Sequence, residues 1–348
     1  MTSTEPAAIA PWQSGRDNHV VRGIMFMIGA TVMLAISNAL SKWVVAVYPV
    51  GEVMFARSLS SLIVCSAFML PVTGLAVFAT KRVRDHIARG TSQAISQTFT
   101  VLAFSMMPLA GATAITFSAP LFSVLISVLW LKERAGAARW GTLLAGFAGV
   151  LVVVRPGADS FQLGALFALA NAVMYGSVTV AVRGMSKTES ANTLLMWQMV
   201  TLAVMHSFLL AFGFRWPTPQ HAVLLASTGV ANAAGQYLWT KALHAAPATA
   251  VSPFYYFLLV WSLALGFLVW GDVPTISLLV GSGIVVASGL FLLYHEAQRD
   301  TGSAAARKAS ERKASESKAP ESKAPESKAP EIQPSENAAS DNMATRRT

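Results

Sequence analysis

Arg57 lies inside an apolar, small-residue stretch, GEVMFARSLSSLIVCSAFM from Gly51 to Met69, that is long enough to cross a lipid bilayer. A guanidinium near the middle of such a helix costs at least about 3 kcal/mol, so it either snorkels to the headgroups or faces something polar. At about one and a half turns, roughly 8 Å, from the end of its span, Arg57 is within snorkelling range, with Glu52 as a loose partner. Turned inward, the same cation becomes a binder of anionic groups, a gate or a structural charge.

Amides and phenols recur at similar depth. AISNALSKW carries Asn38 and Ser41 near one face, and LANAVMYGS carries Asn171 and Tyr175 one helical turn apart. Gln93, Gln97 and Thr100 form a stripe in one segment, and Asn232 and Gln236 repeat it in another, with Tyr237, Trp239 and Lys241 nearby. A polar stripe on a membrane helix points into a bundle interior. There it either contacts a solute or bonds a neighbouring helix, and the sequence leaves both uses open. Pro120 in TAITFSAPLFS and Pro253 in VSPFYYFLLVW each remove an intrahelical bond, which kinks the helix or frees a carbonyl for a solute. Beside them Phe117, Phe122, Tyr255, Tyr256 and Trp261 offer flat surface with hydroxyl handles, suited to an aromatic solute or to plain packing.

Catalytic patterns are missing. Glu52, Glu133, Asp159, Glu189 and Asp272 map to the ends of apolar segments or to loops, so no buried proton relay is legible. His206 and His244 read as packed, hydrogen-bonding imidazoles. The sequence holds no HExxH, no paired aspartates and no glycine-rich phosphate cradle followed by lysine. No catalytic residue, metal or cofactor is therefore expected. Rings of like charge and a carbonyl filter, the marks of a channel, are not legible either. Cys65, the single cysteine, has no disulfide partner.

The elements that position these residues follow from composition. Of 348 residues, 54% are hydrophobic and 12% charged, a membrane protein's balance. The formal charge of +9 maps to short connections and to the C-terminal end, so it signals topology and not nucleic-acid binding. Windows of about 20 apolar residues give ten candidate spans. They cover approximately 22–45, 52–71, 88–107, 109–131, 138–155, 162–183, 191–213, 221–244, 247–270 and 275–294. The third and eighth are polar and Gly-rich, which suits helices shielded from lipid by their neighbours. With a cytoplasmic N-terminus, twelve Lys and Arg residues, Arg89 among them, fall inside, against Lys42, Arg155 and Arg215 outside. Both termini of an inner-membrane protein are thus expected in the cytoplasm, and no cleaved signal peptide is expected. Beyond His295 the composition shifts and SKAPE occurs three times between Ser317 and Glu331, so 297–348 is expected to be a disordered cytoplasmic tail.

The chain is also written twice. At an offset of 141, Gly23 matches Gly164, Lys42 matches Arg183 and Arg57 falls on Gln198; at 139, Gln97 meets Gln236 and Pro108 meets Pro247. Each half holds five spans, an odd number, so the second copy enters the membrane from the opposite side. The expected fold is an all-α polytopic membrane protein of ten helices in two inverted five-helix repeats, a construction that recurs in secondary transporters. A cytoplasmic segment 1–21 precedes repeats at 22–157 and 158–296. Gln198, polar at the position that answers Arg57, argues that this face meets a polar interior in both halves. Gly141, Gly149, Gly281 and Gly289 read as sites of close helix approach, with a scaffold or homodimer role.

The segment AGATAITFSAPLFSVLISVLWLKERAGAARWGTLLAGFAGVLVVVRPG, Ala110 to Gly157, resembles the second half of an EamA domain, and Gly164 to Glu296 resembles another copy. Over 22–296 the chain is similar to the ten-helix drug/metabolite transporter superfamily. Glu133 in WLKER matches the family's acidic position, whereas VWGDVP carries Asp272 where glutamate is more usual. The resemblance implies a basket of spans 1, 3, 4, 6, 8 and 9 around a central cavity, and a cargo that is a small metabolite, amino-acid-like, vitamin- or flavin-like, or nucleoside-like. The family includes importers and exporters. The candidate substrate-binding residues are then Asn38, Arg57, Gln97, Asn171, Tyr175, Gln198, Gln236, Trp239, Tyr255 and Tyr256. The alternatives are a membrane channel or a non-transport helical membrane protein, either scaffold or enzyme. The expected partners are a small-molecule substrate and the bilayer.

Overall fold

A computed structural model of the chain describes residues 11–130, 136–154, 163–185, 188–246, 251–292 and 294, and every regular element among them is helical. The helices are α1 (Pro11–Val45), α2 (Val50–Thr73), α3 (Val83–Met106), α4 (Leu109–Thr116), α5 (Ala119–Trp130), α6 (Ala137–Val154), α7 (Leu163–Met185), α8 (Ala191–Phe208), α9 (Pro219–Ala245), α10 (Phe257–Trp270) and α11 (Ile276–Leu292). Short 3₁₀ turns, Gly74–Phe78, Leu209–Phe212 and Ser252–Tyr256, join or precede them. The SKAPE repeats and the rest of the expected tail lie outside the described residues.

Among the described residues six stretches are long and apolar enough to cross a bilayer: Val20–Val45, Val50–Phe78, Leu109–Ile126, Leu163–Val182, Ala191–Phe212 and Pro253–Trp270. Two shorter apolar helices, Trp140–Val154 and Ile276–Leu292, accompany them. α3 and α9 are long enough but too polar to qualify, in line with the weakness of those two segments in the sequence. The outer surface carries large bare apolar side chains, such as Phe68 at 74% exposure, Val72 at 84% and Phe212 at 88%. Such a surface is stable only where lipid covers it.

Local chemistry sets the helix ends. Ser190 caps α8 by accepting from the Thr193 N–H at 3.1 Å, and Thr218 does the same for α9 just before Pro219, which needs no N–H there. α10 stops at Gly271, whose φ of 70° suits glycine and lets the Gly271 and Asp272 N–H groups bond back to the Phe267 and Gly266 carbonyls. The fourth expected span is two helices. α4 ends at Thr116, Phe117 and Ser118 turn, and Pro120 lies in the first turn of α5, so the proline begins a helix instead of kinking one. Pro253 likewise occupies the start of the 3₁₀ turn that leads into α10.

The principal pairings interlock. α1 runs along α9 and α3 along α7; α2 lies on α9 as α8 lies on α3; and α2 meets α8. Exchanging α1, α2 and α3 for α7, α8 and α9 converts each of these contacts into another of them. Two close approaches depend on missing side chains. Gly229 on α9 lies where a Cβ would strike the Arg57 carbonyl oxygen and come within 2.9 Å of the Ser61 nitrogen, while Ser61 Oγ donates to the Gly229 carbonyl at 2.9 Å. Gly149 on α6 and Gly281 on α11 press together in the same way, each beside the other's carbonyl. That glycine pair is used within one chain, the scaffold role of the two that were expected.

Candidate functional site

Two adjoining cavities open between the helices. One, of about 290 Å³, is lined from α1 by Asn38, from α2 by Arg57, from α3 by Gln93, Ser96, Gln97 and Thr100, and from the α4–α5 break by Thr116, Phe117 and Pro120. Asn171 and Tyr175 of α7, Asn232, Gln236 and Trp239 of α9, and Tyr255 and Tyr256 complete it. The other, of about 350 Å³, is lined by Arg89 of α3 and Gln198 of α8 and shares Gln93, Tyr175, Gln236, Trp239 and Tyr255 with the first. Nine of the ten candidate substrate-binding residues thus line the Arg57 cavity, and Gln198 lines its neighbour.

Arg57 does not snorkel. It is buried, with Nη2 donating to Asn232 Oδ1 at 2.9 Å and Nη1 reaching Ser41 Oγ at 3.5 Å. Asn232 in turn donates from Nδ2 to Ser61 at 3.0 Å, so one amide ties α2 to α9 and holds the guanidinium. Glu52, expected as its loose partner, is committed elsewhere, accepting from the Arg215 backbone N–H at 2.9 Å.

Arg89 departs further from expectation. Counted among the cytoplasmic charges, it is instead buried, donating from Nη1 to Gln198 Oε1 at 3.2 Å and from Nη2 to the Leu194 carbonyl at 2.7 Å. The spacing Arg89, Gln93, Gln97 puts all three on one face of α3, and that periodicity was the signal available for it. Lys42, counted as an outer-loop charge, satisfies the end of α3 through the Phe104 and Met107 carbonyls at 3.3 and 2.7 Å.

The amides divide into two groups. Asn171 bonds neighbouring helices, accepting from Ser96 at 2.6 Å and donating to Thr116 at 3.0 Å. Tyr175 and Tyr255 stand together in the wall of both cavities. Asn38, Gln93, Gln97 and Gln236 line the cavity with no side-chain hydrogen bond among the described residues. Unpaired amides at this depth are tolerable only where water or a solute reaches them.

His206 takes the packing role. Its Nε2–H donates to the Ala94 carbonyl at 3.3 Å, and Nδ1 shares a hydrogen bond with Ser58 Oγ at 2.6 Å. Replacing His206 by leucine is expected to cost about 1–3 kcal/mol by stranding the Ser58 hydroxyl. Thermal unfolding of the detergent-solubilised protein checks it, and an unshifted midpoint would detach His206 from the α2–α3–α8 contact.

No group of three His, Cys, Asp or Glu side chains that could hold a metal ion occurs among the described residues. The lining of both cavities holds two guanidiniums and no carboxylate.

An all-helical chain with a lipid-facing outer surface and polar cavities between its helices is a multi-pass membrane protein. A family model for the EamA-like transporter family matches residues 21–155 and again 162–294, and the chain belongs to that family. It is 27% identical over 286 residues to a riboflavin transporter of Rhizobium johnstonii, covering 81% of this chain and 94% of that one. It is equally 27% identical over 274 residues to an S-adenosylmethionine uptake transporter of Rickettsia bellii, covering 79% and 94%. These relatives are named as transporters and not as enzymes. A crystal structure covering 80% of this chain and 97% of its own superposes with a TM-score of 0.55 at 19% identity, which shows the fold alone.

Proposed function

We propose that the protein is a secondary transporter that moves a small organic metabolite across the inner membrane by alternating access. Ten crossings are counted when α3, α9 and the two shorter apolar helices join the six long spans, with α4 and α5 forming one crossing. They form two five-helix repeats, 22–157 and 158–296, of opposite sense, with both termini in the cytoplasm. The double family match and the exchange symmetry of the helix pairings support this arrangement.

The observation that carries the function is the set of four amides, Asn38, Gln93, Gln97 and Gln236, facing a cavity of about 290 Å³ without side-chain partners among the described residues. Two halves rocking about such a site open it to either side in turn. The relatives named for riboflavin and S-adenosylmethionine bring the vitamin-like and nucleoside-like classes forward, and Trp239, Tyr255 and Tyr256 supply the flat surfaces that such solutes use.

Counterflow of labelled solute in proteoliposomes tests the transporter. Accelerated exchange driven by solute trapped inside is expected, whereas electrical conductance without counterflow would make the protein a channel. Gln236→Ala is expected to lower the exchange rate about fivefold, the size of one neutral hydrogen bond, with insertion unchanged. An unchanged rate would take Gln236 out of the solute's path.

A further inference from the structure

Arg57 and Arg89 are 6% and 5% exposed, and every acceptor they reach is neutral. The Nε–H of each is buried and has no hydrogen-bond partner among the described residues. Glu189, a carboxylate on the Arg89 side, is engaged with Thr80 Oγ1 at 2.7 Å and lies 3.7 Å from His86 Nε2. Among the described residues two buried positive charges are therefore left without a counter-charge, a state that a fold retains at a cost unless an anion comes to them.

The two cations occupy corresponding joints. Arg57 of α2 bonds Asn232 of α9, and Gln198 of α8 bonds Arg89 of α3; these join the same pair of helices with the halves exchanged, the Arg89 bond lying one turn along α3 from Gln93, which answers Asn232. Arg57 stands about 10 Å along α2 and Arg89 about 9 Å along α3 from their first residues. Because α2 and α3 are successive crossings of opposite sense, those depths lie toward opposite faces. Gln93, Tyr175, Trp239 and Tyr255 form the wall that the two cavities share.

We propose that Arg57 and Arg89 are two stations for one anionic group, a carboxylate or a phosphate, on the transported solute, while Tyr175, Trp239 and Tyr255 hold its flat apolar body between them. This rests on the transporter reading above. In one state the anion sits on Arg57 and in the other on Arg89, so neither charge remains uncompensated for a full cycle. Guanidinium suits this role because its planar fork matches both oxyanions.

Matched probes that differ only in charge test it. On protein in lipid nanodiscs, quenching of flavin fluorescence reports riboflavin and riboflavin 5′-phosphate; thermal stabilisation reports indole-3-acetate and its amide. In at least one pair the charged member is expected to bind about tenfold tighter, as one charge-assisted hydrogen bond gives. Arg57→Gln and Arg89→Gln are each expected to lower that preference and the double variant to remove it, with a smaller loss for the neutral member of each pair, and Arg57→Lys to keep more of it than Arg57→Gln. Neutral-probe binding on the same samples reports that the variants are folded. Equal or tighter binding of the neutral member, no binding of any charged probe, or equal losses for both members would overturn the proposal. Counterflow of an anionic solute that survives both Arg→Gln changes would remove the anion stations and leave the transporter standing. A preserved charge preference with no counterflow of any probe would do the reverse.

Discussion

Replacing Arg57 by alanine is expected to lower the initial rate of solute counterflow by about 10- to 100-fold, the range set by losing one charge-assisted contact. Folding should survive. The cation has no carboxylate partner to strand among the described residues, and Asn232 keeps its bond to Ser61 when Oδ1 loses its donor. The variant should therefore reach the membrane at normal abundance and elute as the wild type does. Wild-type kinetics in Arg57→Ala would leave the guanidinium a purely structural group.

The second large effect falls on stability. Gly229→Val is expected to cost about 3 kcal/mol or more, because the new side chain meets backbone and cannot be turned aside. Its Cβ alone collides with the Arg57 carbonyl and closes on the Ser60 side chain, so α9 must leave α2 and break the Ser61–Gly229 and Arg57–Asn232 bonds with it. Gly283→Ala is the control. No atom lies within 4 Å of the added methyl there, and the helix gains propensity. Thermal midpoints in detergent compare the two, and equal midpoints would show that α2 and α9 do not meet at Gly229.

Much of the architecture could be read from the residues, because the period and length of apolar runs report lipid contact directly. The polarity of the segments that became α3 and α9 foretold their shielded position. The burial of Arg57 against α9 was not legible, since its partner Asn232 is 175 residues away and no local pattern encodes such a pairing. The burial of Arg89 escaped notice for a different reason. A charge near the end of a span counts as topological whether its side chain faces water or the bundle, and only the stripe with Gln93 and Gln97 distinguishes the two. The break at Phe117 and Ser118 was hidden because the proline that marks it also fits a kink.

The polarity of α3 and α9 has a consequence for biogenesis. When α9 leaves the ribosome, α1 and α2 are already in place to receive it. α3 has no such welcome. Its main neighbours, α7 and α8, are synthesised only after α4, α5 and α6, so Arg89, Gln93 and Gln97 must wait at the translocon or in an aqueous crevice until the second repeat arrives. The first repeat made alone should therefore be a substrate for membrane quality-control proteolysis, and its rescue should require the second repeat supplied as a separate chain.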